Sequence, residues 1–246
     1  MALRFRGEAR GYIERDYAEC PEFGELAEYT GRKWARDEWK DRIDEQNEEQ
    51  ISAYHWHRQY VPIKSQGSWG YCWSWGVCCA VETAYAMQGV NTGGLNAHAL
   101  AYRGKNGRNR GGFGLEACRY ITQWGIPSER VLAGKVRTTR WSDDVQRNAD
   151  QHKLVNFEEV GRDNFEGVIN SLLNGHPTTL ALRWWRHLVC GVGVAYKGND
   201  FGIIIANSHG TRYSAGGMKD GYGILWGRKA VPFEAVTVRS VKVRGE

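Results

Sequence analysis

The chain has 246 residues, 41% of them hydrophobic and 12% aromatic, with 25% charged and only 5 prolines. That length and apolar content exclude a disordered chain, a collagen-like fibre and a disulfide-stapled miniprotein, and suffice to bury roughly 70–75% of the unfolded surface. Charge is uneven: residues 1–60 hold 14 acidic and 10 basic side chains, net −4, and residues 61–246 hold 14 and 23, net +9.

In chain order, residues 1–60 read as a charged extension and residues 61–246 as the main body. An acidic leader beside a basic body suits docking back over a cleft or binding another protein, with Trp34, Trp39 and Trp56 as anchors; a solvated helix face accounts for the same charges. The first 15 residues hold no apolar region of signal-peptide type, so no secretory signal is expected. The pattern predicts a helix over Glu25–Gln50 despite Gly31, a loop over Val61–Gly70, and one all-round apolar helix over Tyr71–Gln88. Gly89–Gly114 reads as irregular and glycine-rich, followed by a helix over Leu115–Trp124 that Gly125 and Pro127 stop. Phe165, Val168, Ile169, Leu172 and Leu173 recur at helical spacing, predicting a helix over Asn164–Asn174 with Asp163 as cap and Gly175 as stop. Thr178–Leu182, Leu188–Tyr196, Phe201–Ala206, Tyr222–Trp226 and Val236–Val243 then read as strands. Helices first and strands later imply an α+β fold with two lobes. No apolar run approaches the ~20 residues of a membrane span, so no membrane partner is expected.

The densest chemical signal is Gln66-Gly-Ser-Trp-Gly-Tyr-Cys72-Trp73. It sets a cysteine at the start of a core helix just after a glycine-rich turn, where unpaired N–H groups and the helix dipole favour a thiolate. A cysteine at a helix start is also compatible with a buried structural role. The six cysteines (Cys20, Cys72, Cys78, Cys79, Cys118, Cys190) form no C-x-x-C pair or zinc-type spacing. Cys78 and Cys79, adjacent in an apolar run, read as small buried hydrophobes, and the set fits a reducing, cytoplasmic compartment.

This segment resembles the nucleophile motif Q-G-x-C-G-x-C-W of the papain-like cysteine peptidases, with seven of eight positions compatible and Trp69 the exception. Downstream, His187-Leu-Val-Cys-Gly-Val-Gly-Val is similar to the family's histidine strand, and Ile-Ala-Asn207-Ser-His209-Gly to its asparagine strand, in the expected order 115 and 135 residues beyond Cys72. Asn109-Arg110-Gly111-Gly112-Phe113 resembles its C-N-G-G-Y segment, and Gly217–Gly223 its C-terminal strand entry. The resemblance runs from about Val61 to Lys229. It implies a two-lobed fold, a central helix in one lobe facing a sheet lobe across a cleft. It further implies Cys72 as nucleophile, His187 as proton carrier, Asn207 as its orienter, Gln66 as oxyanion donor, and Gly111 and Gly112 as substrate shelf. No metal or cofactor is implied, and the partner is a peptide or protein substrate.

Three departures stand out. Trp69 and Asn109 replace both half-cystines of a family disulfide, and His209 replaces the tryptophan that shields the histidine–asparagine bond. His209 is therefore read as the shield, with a direct catalytic part as the alternative. Arg186 precedes His187, which lowers the expected imidazole pKa. Lys105, Arg108 and Arg110 suggest a basic cleft rim and substrates with acidic side chains, or a solvated loop. The alternative function is a weak or inactive papain-like component of a larger assembly, such as a virus particle. Nucleic-acid binding by the basic body is disfavoured, because the basic residues are scattered and no recognition motif appears.

Overall fold

The computed structural model describes residues 11–16 and 29–243. Seven helices are named here in chain order: α1 (Trp39–Glu48), α2 (Ala53–Tyr60), α3 (Cys72–Met87), α4 (Ala97–Gly104), α5 (Gly114–Trp124), α6 (Asp143–Ala149) and α7 (Phe165–Leu173). The strands are β1 (Leu154–Glu159), β2 (Thr178–Leu182), β3 (His187–Lys197), β4 (Asp200–Ala206), β5 (Tyr222–Trp226) and β6 (Glu234–Val241). They form one antiparallel sheet in the order β1-β6-β2-β3-β4-β5. The fold is α+β, with helices gathered early in the chain and the sheet late.

Both faces of the central strands are buried, because alternate residues of β2, β3, β4 and β6 enter different cores. On β3, Leu188, Cys190 and Val192 join the core around α3, α4 and α5. Val189 joins the opposite core with Trp39 and Ile43 of α1 and Val168, Ile169 and Leu172 of α7. The register shifts between Gly191 and Gly193, and beyond that bulge Val194, on an even number, joins the α1–α7 core instead. Helix α3 lies on the first face at close range: a Cβ added to Gly76 would sit 2.3 Å from Leu188 Cδ2 and 3.3 Å from the Val189 carbonyl carbon. Glycine at this point lets the helix carrying Cys72 approach the strand that begins at His187.

Several boundaries differ from expectation. The helix predicted from Glu25 starts outside the described residues, and within them only Trp39–Glu48 is helical. Residues 29–35 are drawn out by tertiary bonds: Thr30 Oγ1 donates to Glu158 (2.8 Å), Trp34 N–H to Asn170 Oδ1 (2.6 Å), and Trp34 Nε1 to Asn174 (3.2 Å). Gln46 of α1, buried, donates to the Leu173 carbonyl at the end of α7 (3.1 Å), so residues 29–60 pack as part of the body. The irregular stretch read over Gly89–Gly114 contains α4, capped by Asn96, whose side chain accepts from Ala99 N–H (2.9 Å). Helix α7 is capped by Asn164, which accepts from Gly167 N–H (2.8 Å); Asp163 takes φ +51° and turns the chain into the cap. Gly175 ends α7 at φ +78° as expected. Strand β1 and helix α6 were not anticipated. Among the described residues no helix is long and apolar enough to cross a membrane, and no group of residues is arranged to hold a metal ion.

Candidate active site

Cys72 is the first residue of α3 and fully buried. The first two intrahelical bonds of this turn run from Ser74 and Trp75 to the Tyr71 carbonyl, so the N–H groups of Cys72 and Trp73 are free of the helix ladder and help stabilise a thiolate. Backbone N–H groups of Leu188, from the start of β3, and of Gly11, from the N-terminal segment, act on the same sulfur. Burial outweighs these donors and pushes the thiol up to about 11.

His187 begins β3, is wholly buried, and its Nε2 lies 2.8 Å from Asn207 Oδ1. An amide oxygen only accepts, so Nε2 carries the proton and the tautomer is set. Asn207 follows the end of β4, and its Nδ2 donates to His209 Nδ1 at 3.3 Å. The His209 ring lies over that of His187 with centroids 4.4 Å apart, and Trp185 packs against both rings, at 4.9 Å from His187 and 5.8 Å from His209. His209 thus occupies a covering position over the His187–Asn207 pair, and its own Nδ1 is committed to Asn207.

Gln66 is buried beside them. Its backbone N–H donates to the Ser208 carbonyl (2.9 Å), its Oε1 accepts from the Ser208 hydroxyl, and its Nε2 donates to the Trp69 carbonyl (2.8 Å). Ser208, between Asn207 and His209, therefore ties the turn before Cys72 to the strand end that holds Asn207; sequence reasoning did not single it out. The Asn109 side chain accepts from Gly70 N–H (2.7 Å), and Trp69 packs on His98 at 4.7 Å between centroids. A polar bridge and an aromatic contact here join the two segments.

The segment around Tyr12 runs along Gly111 and Gly112. Ile13 N–H donates to Gly112 O (3.0 Å) and Gly112 N–H to Gly11 O (2.8 Å), a parallel bridge centred on Tyr12. A Cβ on Gly112 would fall 2.8 Å from the Trp73 ring, and one on Gly11 only 1.8 Å from the Gly70 carbonyl oxygen. The basic rim is narrower than expected. Lys105 is ion-paired with Glu116 (2.6 Å) and lies 4.9 Å from the Trp73 ring centroid, while Arg108 and Arg110 are exposed.

A thiol–imidazole pair between Cys79 and His57 was not foreseen. Cys79, half-buried on α3, lies 3.1 Å from His57 Nε2 of α2, and His57 Nδ1 lies 2.8 Å from the Tyr222 hydroxyl. Cys79 therefore departs from the inert hydrophobe expected of it. A hydrogen bond from Cys190, together with the His57 charge, holds the Cys79 thiol well below its ordinary range. Burial pushes Cys78 and Cys118 the other way. Cys79 and His57 line a partly open pocket together with Lys64, Glu82 and Asn207. Iodoacetamide at pH 7 is expected to modify Cys79 ahead of Cys78 and Cys118, with His57→Gln slowing it about tenfold, roughly one pKa unit of lost stabilisation. Peptide mass mapping over time checks this; equal rates at the three thiols, or no effect of His57→Gln, would refute it. The signal was out of reach in sequence because His57 sits in the extension, 22 residues before Cys79, with no motif around it.

No protein-family model matches the sequence, and no curated protein sequence matches it. Solved structures do. A digestive procathepsin L 3 from the larval midgut of Tenebrio molitor superposes with a TM-score of 0.62 at 18% identity, over 76% of this chain and 68% of that one. Bromelain from Ananas comosus gives 0.62 at 17%, over 79% and 98%. A cysteine protease of Carica candamarcensis, solved with E-64, gives 0.58 at 22%, over 75% and 97%. With its central helix laid against an antiparallel sheet, the chain has the fold of the papain-like cysteine proteases.

Proposed function

We propose that this protein is a cysteine peptidase or close amide hydrolase working through Cys72, His187 and Asn207. The observation that carries the reading is the His187 Nε2–Asn207 Oδ1 bond at 2.8 Å, on the strand whose next residue, Leu188, directs its N–H to the Cys72 sulfur. In this reading His187 takes the Cys72 proton and the thiolate attacks the scissile carbonyl carbon. The oxyanion is held by the Cys72 N–H and Gln66 Nε2, donors of a kind typically worth ~10²–10³ in rate each. His187 passes its proton to the leaving amine, and water, with His187 now as base, releases the acyl group. Asn207 keeps the imidazole in one tautomer and His209 shields their bond.

Residues 11–16 act, in this proposal, as a resident cover of the cleft. The parallel bridge to Gly112 and the Gly11 N–H on the sulfur support that role. The covered state also suits the second reading, a papain-like structural component of a larger assembly, because a thiol at about 11 is protonated at neutral pH. The free state of Cys72, Cys78, Cys79, Cys118 and Cys190 supports a reducing location such as the cytoplasm.

An active-site-directed thiol epoxide, mapped by peptide mass, separates the readings. The peptidase predicts an adduct on Cys72 that is lost in Cys72→Ala and reduced at least a hundredfold in His187→Ala. An adduct confined to Cys79, or a Cys72 adduct indifferent to His187, would sink it.

A further inference from the structure

Four chemically active side chains from four elements meet on the α3 side of the sheet. Cys190 of β3 stands opposite Ala206 of β4, and Ala206 opposite Tyr222 of β5, so the three form one row facing one core. The small Ala206 side chain lies between the thiol and the phenol, and it lines the same pocket as His57 and Cys79. At the phenol end, His57 Nδ1 lies 2.8 Å from the Tyr222 hydroxyl, and its Nε2 is 3.1 Å from the Cys79 sulfur. At the thiol end, Cys79 and Cys190 are hydrogen-bonded to each other. Gly76 permits that contact. A Cβ there would stand 3.3 Å from the Val189 carbonyl carbon, so α3 lies directly on β3 beside Cys190, and Cys79, three residues on, shares that helix face. Access to the thiols is uneven. Among the described cysteines, Cys72, Cys78, Cys118 and Cys190 are buried, whereas Cys79 is half-buried. A small reagent entering the pocket therefore meets Cys79 first, with Cys190 behind it. The Cys190 hydrogen bond and the His57 charge favour a thiolate at Cys79, while burial keeps Cys190 a thiol.

We propose that Cys79 is an oxidation site for small hydroperoxides, with His57 as its proton relay and Cys190 as its resolving thiol. The Cys79 proton passes to His57 Nε2, and the thiolate attacks one oxygen of the hydroperoxide ROOH. The O–O bond breaks, the departing oxygen takes the proton from Nε2, and ROH leaves while Cys79 becomes a sulfenic acid. The Cys190 sulfur then attacks the Cys79 sulfur. Hydroxide departs, takes up the Cys190 proton and leaves as water. The peroxide is reduced by two electrons, and the two thiols are oxidised to one disulfide that a dithiol can reduce again. Tyr222 holds the far nitrogen of the imidazole and so keeps Nε2 aimed at the sulfur. The new bond ties α3, which begins with Cys72, to β3, which begins with His187. Cys72 takes no part in the reaction, so the inference stands apart from the peptidase reading.

The test uses the full chain, as wild type and as Cys72→Ala, fully reduced at the start, with hydrogen peroxide as the probe. Mass mapping of non-reduced peptides should find Cys79 joined to Cys190 in both chains, and dithiothreitol should reverse the link. Closing so long a loop should raise the Tm of the oxidised chain by about 5 °C or more over the reduced one. In Cys190→Ala the same dose should leave a Cys79 sulfenic acid that dimedone traps, at about ten times the wild-type yield. His57→Gln should slow the loss of the Cys79 thiol about tenfold. Cys79 joined to any other cysteine overturns the proposal. So does oxidation of Cys78 or Cys118 as fast as Cys79, or a Cys79 rate indifferent to His57. Should either variant not fold, the wild type decides alone: Cys79 and Cys190 both recovered as free thiols after the dose would also overturn it.

Discussion

Replacing Gly11 by valine is expected to raise the rate at which Cys72 reacts with a thiol epoxide at pH 7 by about a hundredfold or more. A Cβ at this position would stand 1.8 Å from the Gly70 carbonyl oxygen, a backbone atom that cannot turn aside, so the segment cannot seat itself as it does with glycine. Two consequences follow for the sulfur. Water regains the entrance above Cys72, which weakens the burial that pushes its thiol up to about 11; the Gly11 N–H is lost as a donor, a smaller effect of opposite sign. A return towards the ordinary cysteine value near ~8.5 multiplies the thiolate fraction at pH 7 by more than ~10². The pH–rate profile should change with it. Labelling of the wild type should climb about tenfold per unit through pH 7–10, and that of Gly11→Val should flatten within the same range. If Gly11→Val labels at the wild-type rate, the segment does not cover the nucleophile.

The elements that carry Cys72, His187 and Asn207 could be read from the sequence. Cys72, His187 and Asn207 each stand at the end of an element with a strong local signature: an all-apolar helix preceded by glycines, and two β-branched strands. Local propensity and pattern agree there, so the ends of the elements could be read. What was not legible depends on contacts distant in sequence. Strand β1 is half-exposed, and its hydrogen bonds come from β6, some eighty residues away. Residues 29–35 look helical until Glu158, Asn170 and Asn174 claim their donors. Tyr12–Arg15 carry no motif; their place on Gly112 and Glu159 exists only once the shelf is folded. His57 and Cys79 belong to the same class: a bond across two helices that neither helix announces. The choice of Asp163 as cap failed for a local reason. Asn164 offers an equivalent oxygen one residue later, and Asp163 instead takes the left-handed turn that aspartate tolerates.

The largest loss of stability is expected from Lys64→Met. Lys64 belongs to the loop that leads into Gln66, and its ammonium is ion-paired with Glu82 in the middle of α3 while donating to the Leu95 carbonyl at 2.8 Å. Both side chains are largely buried, Glu82 at 4% and Lys64 at 12% side-chain exposure. Burial pulls the Lys64 ammonium down, but the Glu82 charge and hydrogen bond outweigh it and leave it raised. Removing one partner of such a pair strands the other charge and costs about 3–5 kcal/mol, roughly 10 °C or more in Tm for a chain of this size. Lys64→Met/Glu82→Gln should recover over half of that, because the glutamine oxygen still accepts from Leu95 N–H without a charge to bury. The pH dependence has a defined sign. Glu82 is already raised by burial, so its folded pKa lies above its unfolded one and ionising it draws down stability as pH rises from about 4.5. Without Lys64 that folded pKa climbs further, so the gap between wild type and Lys64→Met should be widest at pH 7–8 and narrow on acidification as both chains take up the Glu82 proton. Thermal melts of the three chains across that range decide it. A gap that stays constant with pH would mean that Lys64 acts through its packing and its bond to Leu95, with its charge of no consequence to Glu82.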